Sequence, residues 1–149
     1  MSDAPAEVTG RSQDADQESA TLSGGSPRTM HIGELAERTS LSLRTIRHYD
    51  EVGILPATAR TEGGFRVYTE DDLERLMVIR RMKPLGFTLE EMTDLLAVLD
   101  ALQVEQDEVA VGELRARVSV FRDTALERRA KMVETLSRAD EFIDVLTRY

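Results

Sequence analysis

From Met30 onward the hydrophobic positions follow helical spacing, interrupted at short intervals by residues that stop a helix. Ile32, Leu35 and Ala36 stand at i, i+3 and i+4 and predict a first short helix over residues 32–38. Thr39-Ser40 reads as a turn, and Ser42 as the N-cap of a second helix over residues 43–52. Leu41 before that cap and Ile46 after it form a hydrophobic staple. Gly53 supplies a left-handed residue to end the helix, and Pro56 prevents its resumption.

Residues 57–68 predict a hairpin turning at Gly63-Gly64. The alternation of its second strand places Phe65 and Val67 on one face and Arg66 and Tyr68 on the other. Thr69 to Asp72 is a capping-box start, with Tyr68 and Leu73 as the staple pair, for a third helix that runs to Lys83 and stops at Pro84. Thr88 and Glu91 repeat the device, with Phe87 placed to pack on Met92, for a fourth helix over residues 89–102. Residues 103–112 fit either a helix or an acidic loop.

Beyond Gly112 there is neither Pro nor Gly. A 4-3 spacing picks out Leu114, Val118, Phe121, Ala125, Arg128, Met132, Thr135, Ala139, Phe142, Leu146 and Tyr149, with Arg128 and Thr135 as polar interruptions. Such a helix makes a rod of roughly 50 Å, too long to cover its seam on a small neighbouring domain, so the seam predicts a second copy of the chain. Residues 1–28 contrast with all of this. They hold almost no large apolar side chain and end in Ser-Gly-Gly-Ser-Pro-Arg, the composition of a disordered acidic tail. The expected plan is mainly α: a tail over 1–28, a winged helix-turn-helix domain over 29–99, a linker over 100–112 and a dimerisation coiled coil over 113–149.

Charge refines that picture. The net charge of −9 divides into −3 for residues 1–28, zero for 29–83 and −6 for 84–149. Acidity therefore belongs to the flanks, and diffuse binding to nucleic acid is disfavoured. Within the neutral segment arginines are concentrated, and Arg is the side chain suited to bidentate contact with guanine and phosphate. The absence of Cys excludes disulfides and thiolate metal sites. No apolar run reaches the ~18–20 residues of a membrane span, and the polar, acidic N-terminus carries no secretory signal, so a cytoplasmic protein is expected.

Helix, turn, helix and basic hairpin is the winged helix-turn-helix plan, in which the second helix enters the DNA major groove. On residues 43–52, Leu43 and Ile46 face inward while Arg44, Arg47 and His48 form an outward stripe. Arg44 and Thr45, near the helix start, suit base reading. Arg47, Arg60 and Arg66 suit phosphate contact, and Tyr49 suits stacking on sugar or donation to phosphate. With Ser42 and His48 these make up the DNA-contacting set expected from the residues themselves.

At these residues the chain resembles the MerR family of bacterial transcription regulators. IGELAERTSLSLRTIRHYDEVGILPATARTEGGFRVYTEDDLERL, continued by GFTLEEMTDLL, carries the resemblance over residues 30–99. It implies a homodimer on a pseudo-palindromic promoter operator, often within an over-long spacer that the regulator bends and untwists for RNA polymerase. Arg44, Thr45, Arg47 and Tyr49 match recognition-helix positions, and Arg66 and Tyr68 match the wing, so the resemblance adds Tyr68 to the expected DNA-contacting set. His48 and Phe65 stand where many members have Tyr. The expected partners are double-stranded promoter DNA, a second copy and RNA polymerase. No membrane, cofactor or metal is expected, and no effector is assigned.

Other readings of the same residues are weaker. Asp71-Asp72 and Glu90-Glu91 lie in first helical turns, where acids stabilise the dipole, so they read as caps rather than catalytic pairs. Glu105, Asp107 and Glu108 read as a solvated run. His31 reads as a cap or surface residue. With no nucleophile–base pair or phosphate loop, an enzyme is not expected. The alternatives are an architectural or segregation protein with little sequence choice, and a coiled-coil interaction protein.

Overall fold

The structure is a computed structural model that describes residues 27–149, and the tail expected over residues 1–28 lies outside them except for its last two positions. The elements in chain order are β1 (Thr29–His31), α1 (Ile32–Thr39), α2 (Leu43–Glu51), β2 (Ala59–Arg60), β3 (Arg66–Thr69), α3 (Glu70–Met82), a 3-10 turn (Lys83–Leu85), α4 (Leu89–Val104) and α5 (Glu108–Thr147).

Local chemistry accounts for most of the boundaries. Ser40 takes the left-handed conformation at φ 55° and ends α1, and the Leu41 N–H returns to the Ala36 carbonyl at 3.2 Å. Ser42 Oγ then accepts from the Thr45 N–H at 3.1 Å to open α2. Gly53 (φ 79°) closes α2 and turns the chain so that Ile54 and Leu55 enter the core. Complete capping boxes start α3, on Thr69 and Asp72, and α4, on Thr88 and Glu91.

Three features depart from the sequence-based plan. Thr29–His31 forms a strand, so the wing is a three-stranded sheet in the order β1-β3-β2 rather than a hairpin, with β3 antiparallel to both neighbours. Met30 pairs with Tyr68 across β1 and β3, and both point into the core beside Leu35, Leu76 and Ile79. Secondly, the linker expected over 100–112 shrinks to Glu105–Asp107. Helix α4 continues through Val104, and Asp107 caps α5 by accepting from the Ala110 N–H at 2.9 Å. Gly112 sits inside α5 with open space around it, where its cost of about 1 kcal/mol is outweighed by the residues on either side.

The third departure concerns α5 itself, 40 residues and about 60 Å long. Its seam residues were assigned to dimerisation because so long a rod cannot cover its seam on a small domain along its whole length. Instead its first half packs on the same chain: Phe121 and Ala125 rest against the core, and the Phe121 and Phe87 rings lie 6.2 Å apart and tilted. An apolar cleft of about 310 Å³ between this half of α5, the end of α3 and α4 is lined by Val118, Phe121, Ala125, Phe87, Leu95 and Leu99, among others. From Arg129 onward every residue is exposed.

Candidate nucleic-acid interface

Helix α2 has two faces set by its period of 3.6. Ile46 and Tyr49, three apart, are buried, and Arg44, Arg47 and His48 are exposed on the opposite side. Among the described residues Arg44, Arg47 and His48 take part in no side-chain hydrogen bond or ion pair. An exposed, unpaired guanidinium is available to an external anion. At the start of the helix the Ser42 and Thr45 hydroxyls lie 2.8 Å apart, beside Arg44 in sequence, so polar groups cluster at the end of α2 expected to read base edges.

The wing stands next to this face. A cleft of about 180 Å³ is lined by Arg47 from α2, by His31 and Ile32 at the β1–α1 junction, and by Gly64, Phe65 and Arg66 from the wing. Gly64 takes φ 81° at the tip, a conformation that glycine adopts without strain. Phe65 beside it is 68% exposed, an apolar ring presented at the end of the wing. Arg60 is also exposed and donates to the Gly64 carbonyl at 3.0 Å, which bridges the two sides of the wing.

Asp50 links α2 to the wing from beneath. Its Oδ2 accepts from Arg66 Nε at 2.6 Å and lies 3.6 Å from Arg60, and its Oδ1 accepts from the Ala57 N–H at 3.0 Å. Partial burial pushes the Asp50 carboxyl up, but Arg66, the Ala57 N–H and the Arg60 charge together hold it below the usual carboxylate value. Sequence reasoning missed Asp50. An acid 16 positions from its cation carries no local signal.

Three expected site residues are placed differently by the structure. Tyr49 is 3% exposed and faces the core, as its spacing from Ile46 requires, so its ring is not offered to sugar or phosphate. Tyr68 is fully buried because β3 lies between two strands and directs that side chain inward opposite Met30. Its hydroxyl has no hydrogen-bond partner among the described residues, and burial raises its pKa. Arg66 is 19% exposed and engaged by Asp50, so it braces the wing rather than standing free as a phosphate clamp. Ser42, Arg44, Arg47, His48 and Arg60 remain on the surface and Thr45 is half-exposed.

Of the seam residues, Leu114, Val118, Phe121 and Ala125 are half-buried against the same chain, and Met132, Ala139, Phe142 and Leu146 are exposed. Residues 18 apart on a helix lie on one line after about five turns. The inward line of Leu114, Val118, Phe121, Ala125 and Arg128 thus continues outward as Met132, Leu136, Ala139, Ile143 and Leu146. Leu136 and Ile143 escaped the heptad template because a straight helix drifts ~20° per heptad from it. Among the described residues no cluster of His, Asp and Glu fits a metal ion, and no helix is long and apolar enough to cross a membrane.

Comparison with known proteins agrees with this geometry. A family profile described as MerR HTH family regulatory protein matches residues 30–99, and one described as MerR, DNA binding matches residues 73–147. The HTH-type transcriptional regulator YfmP of Bacillus subtilis (strain 168) is 37% identical over 116 residues, covering 77% of this chain and 78% of that protein. The mercuric resistance operon regulatory protein of Bacillus cereus is 46% identical over 69 residues, 46% of this chain and 52% of the regulator. The chain spans about half the length of that regulator and of the NolA nodulation proteins it also matches.

Among solved structures, a MerR family regulator from Bacillus thuringiensis superposes with a TM-score of 0.63 at 19% identity, covering 82% of this chain and all of that one. A MerR family regulator lacking the sensor domain, bound to promoter DNA, superposes with a TM-score of 0.59 at 24% identity, covering 79% and 86%. At such identities the likeness is one of fold: a winged helix-turn-helix followed by a long helix. A profile match across half the chain and a relative of comparable extent at 37% identity establish that the chain belongs to the MerR family of regulatory proteins.

Proposed function

We propose that this chain is a homodimeric, sequence-specific DNA-binding transcription regulator that binds a pseudo-palindromic operator in a bacterial promoter. The observation that carries the reading is the exposed face of α2, where Arg44, Arg47 and His48 have no side-chain partner among the described residues and stand beside the wing. Helix α2 enters the major groove with Ser42, Arg44 and Thr45 toward base edges, and Arg47 and Arg60 contact phosphate. Arg66 and Asp50 hold the wing at its angle to α2.

Dimerisation follows from the second half of α5. Met132, Leu136, Ala139, Phe142, Ile143 and Leu146 are exposed on a stretch of helix that the other described residues do not cover, and a second α5 buries them. Two recognition helices joined by a fixed rod read two half-sites at one separation. Where the promoter spacer does not match that separation, binding distorts it, and RNA polymerase engages the realigned promoter. The protein acts in the cytoplasm, on the nucleoid.

The test is selection of fragmented host DNA by the purified full chain, followed by sequencing and alignment. Recovery of one inverted repeat located between promoter elements is the expected result. Broad enrichment without a repeat, or a preference below about tenfold over scrambled DNA, overturns the regulator reading in favour of an architectural role.

A further inference from the structure

Arg128 occupies a seam position on α5, yet its guanidinium is turned to its own chain. Its Nη1 donates to the Leu85 carbonyl at 3.3 Å and its Nη2 to Glu91 Oε1 at 3.1 Å, and its guanidinium carbon lies 4.3 Å from the Phe87 ring centroid. All three partners belong to the connection between the 3-10 turn and α4. The Leu85 carbonyl closes that turn, where an acceptor has no helical partner of its own. Glu91 uses its other oxygen, Oε2, to accept the Thr88 N–H at 2.8 Å in the α4 capping box. One guanidinium therefore joins the end of one helical segment, the start of the next, and α5.

We propose that Arg128 is the positioning residue that sets the angle of α5 on the DNA-binding domain, and with it the separation of the two recognition helices. The inference rests on the dimeric reading above. Two hydrogen bonds to a plane stacked on an aromatic ring fix the orientation of a guanidinium in a way a lysine ammonium does not. The other ion pair across this junction, Arg117 with Asp94, is exposed on both sides and constrains little.

Leverage makes the angle matter. From Arg128 to Thr147 the helix runs about 28 Å, so a tilt of about 10° moves its end by about 5 Å, more than the ~3.4 Å rise of one base pair. A loosened clamp blurs the spacing between half-sites and leaves each recognition helix intact.

The experiment uses the full chain and its Arg128→Ala and Glu91→Gln variants. Each is titrated by fluorescence anisotropy against the inverted repeat recovered with the wild type, with its spacer lengthened or shortened by one or two base pairs, and against a single half-site. Gln at position 91 keeps an acceptor for the Thr88 N–H, so the capping box survives when the anion is lost. The wild type is expected to prefer one spacer by about tenfold. Both variants are expected to flatten this to below about threefold, with half-site affinity within about twofold of wild type. A side chain that only stabilised the fold would not separate spacer preference from half-site affinity. A wild type indifferent to spacing overturns the dimeric reading itself. A wild type with a preference that both variants retain overturns the assignment of Arg128 alone.

Discussion

On the proposed dimer, replacing Arg47 with Ala removes from each protomer one exposed cation that has no partner among the described residues, and its consequence is quantitative. A side chain that neutralises a DNA phosphate releases condensed counterions, and each lost contact lowers the slope of log K against log salt by ~0.9. Two protomers lose two contacts, so the slope falls by about 1.8. Across a fourfold rise in salt, from about 50 to about 200 mM, that difference changes the ratio of wild-type to variant affinity by roughly twelvefold. The control is the double variant Asp50→Asn, Arg66→Gln. In the native protein Arg66 is already neutralised by Asp50 at 2.6 Å, so removing the pair together changes the net charge of the face by nothing and leaves the slope within about 0.5 of wild type. The assay is anisotropy of a labelled operator duplex titrated at several salt concentrations. An unchanged slope in Arg47→Ala refutes the placement of α2 on DNA. A slope reduced as much in the double variant as in Arg47→Ala refutes the bracing role given to Arg66.

Further outcomes follow from the buried groups and from α5. The Asp50 carboxyl is held below its ordinary value, so its contribution to stability is present above about pH 4 and is lost as pH falls through its folded pKa; urea unfolding across that range should show a weaker acid-side loss in Asp50→Asn than in wild type. Tyr68→Phe removes a buried hydroxyl without a protein partner among the described residues, so its melting temperature should hold or rise, with DNA affinity within about twofold of wild type. A clear drop in either would restore a polar role to that phenol. Ile143→Asp places a charge in the exposed apolar line of α5, and sedimentation should show it as a monomer at concentrations where the wild type is a dimer. A dimeric Ile143→Asp would move the interface elsewhere.

Local features were legible at once because their physics spans four residues or fewer. Ser42, Thr69 and Thr88 each cap the helix that follows them, and Gly53 and Gly64 take the positive φ that their turns demand. The outward stripe of Arg44, Arg47 and His48 was legible for the same reason, since helical period alone separates it from Ile46. That period also held the answer for Tyr49, three residues beyond Ile46 and therefore inward. The expectation that Tyr49 stacks on sugar or donates to phosphate ran against that period.

What the sequence by itself determined is the set of helices, their caps and turns, the arginine-bearing face of α2, and the family whose pattern these residues share. Tertiary structure decided which side of β3 is inside. Alternation puts Arg66 and Tyr68 on one face, but only the pairing of Met30 with Tyr68, from a strand invisible as three residues, turns that face toward the core. It also decided which cations are free, because Asp50 meets Arg66 from 16 positions away and Glu91 meets Arg128 from 37. A heptad shows that a helix has an apolar line but not what covers it. In α5 the same line meets its own α4 first and, among the described residues, is left open beyond Arg128, since the packed helices beneath it end before α5 does.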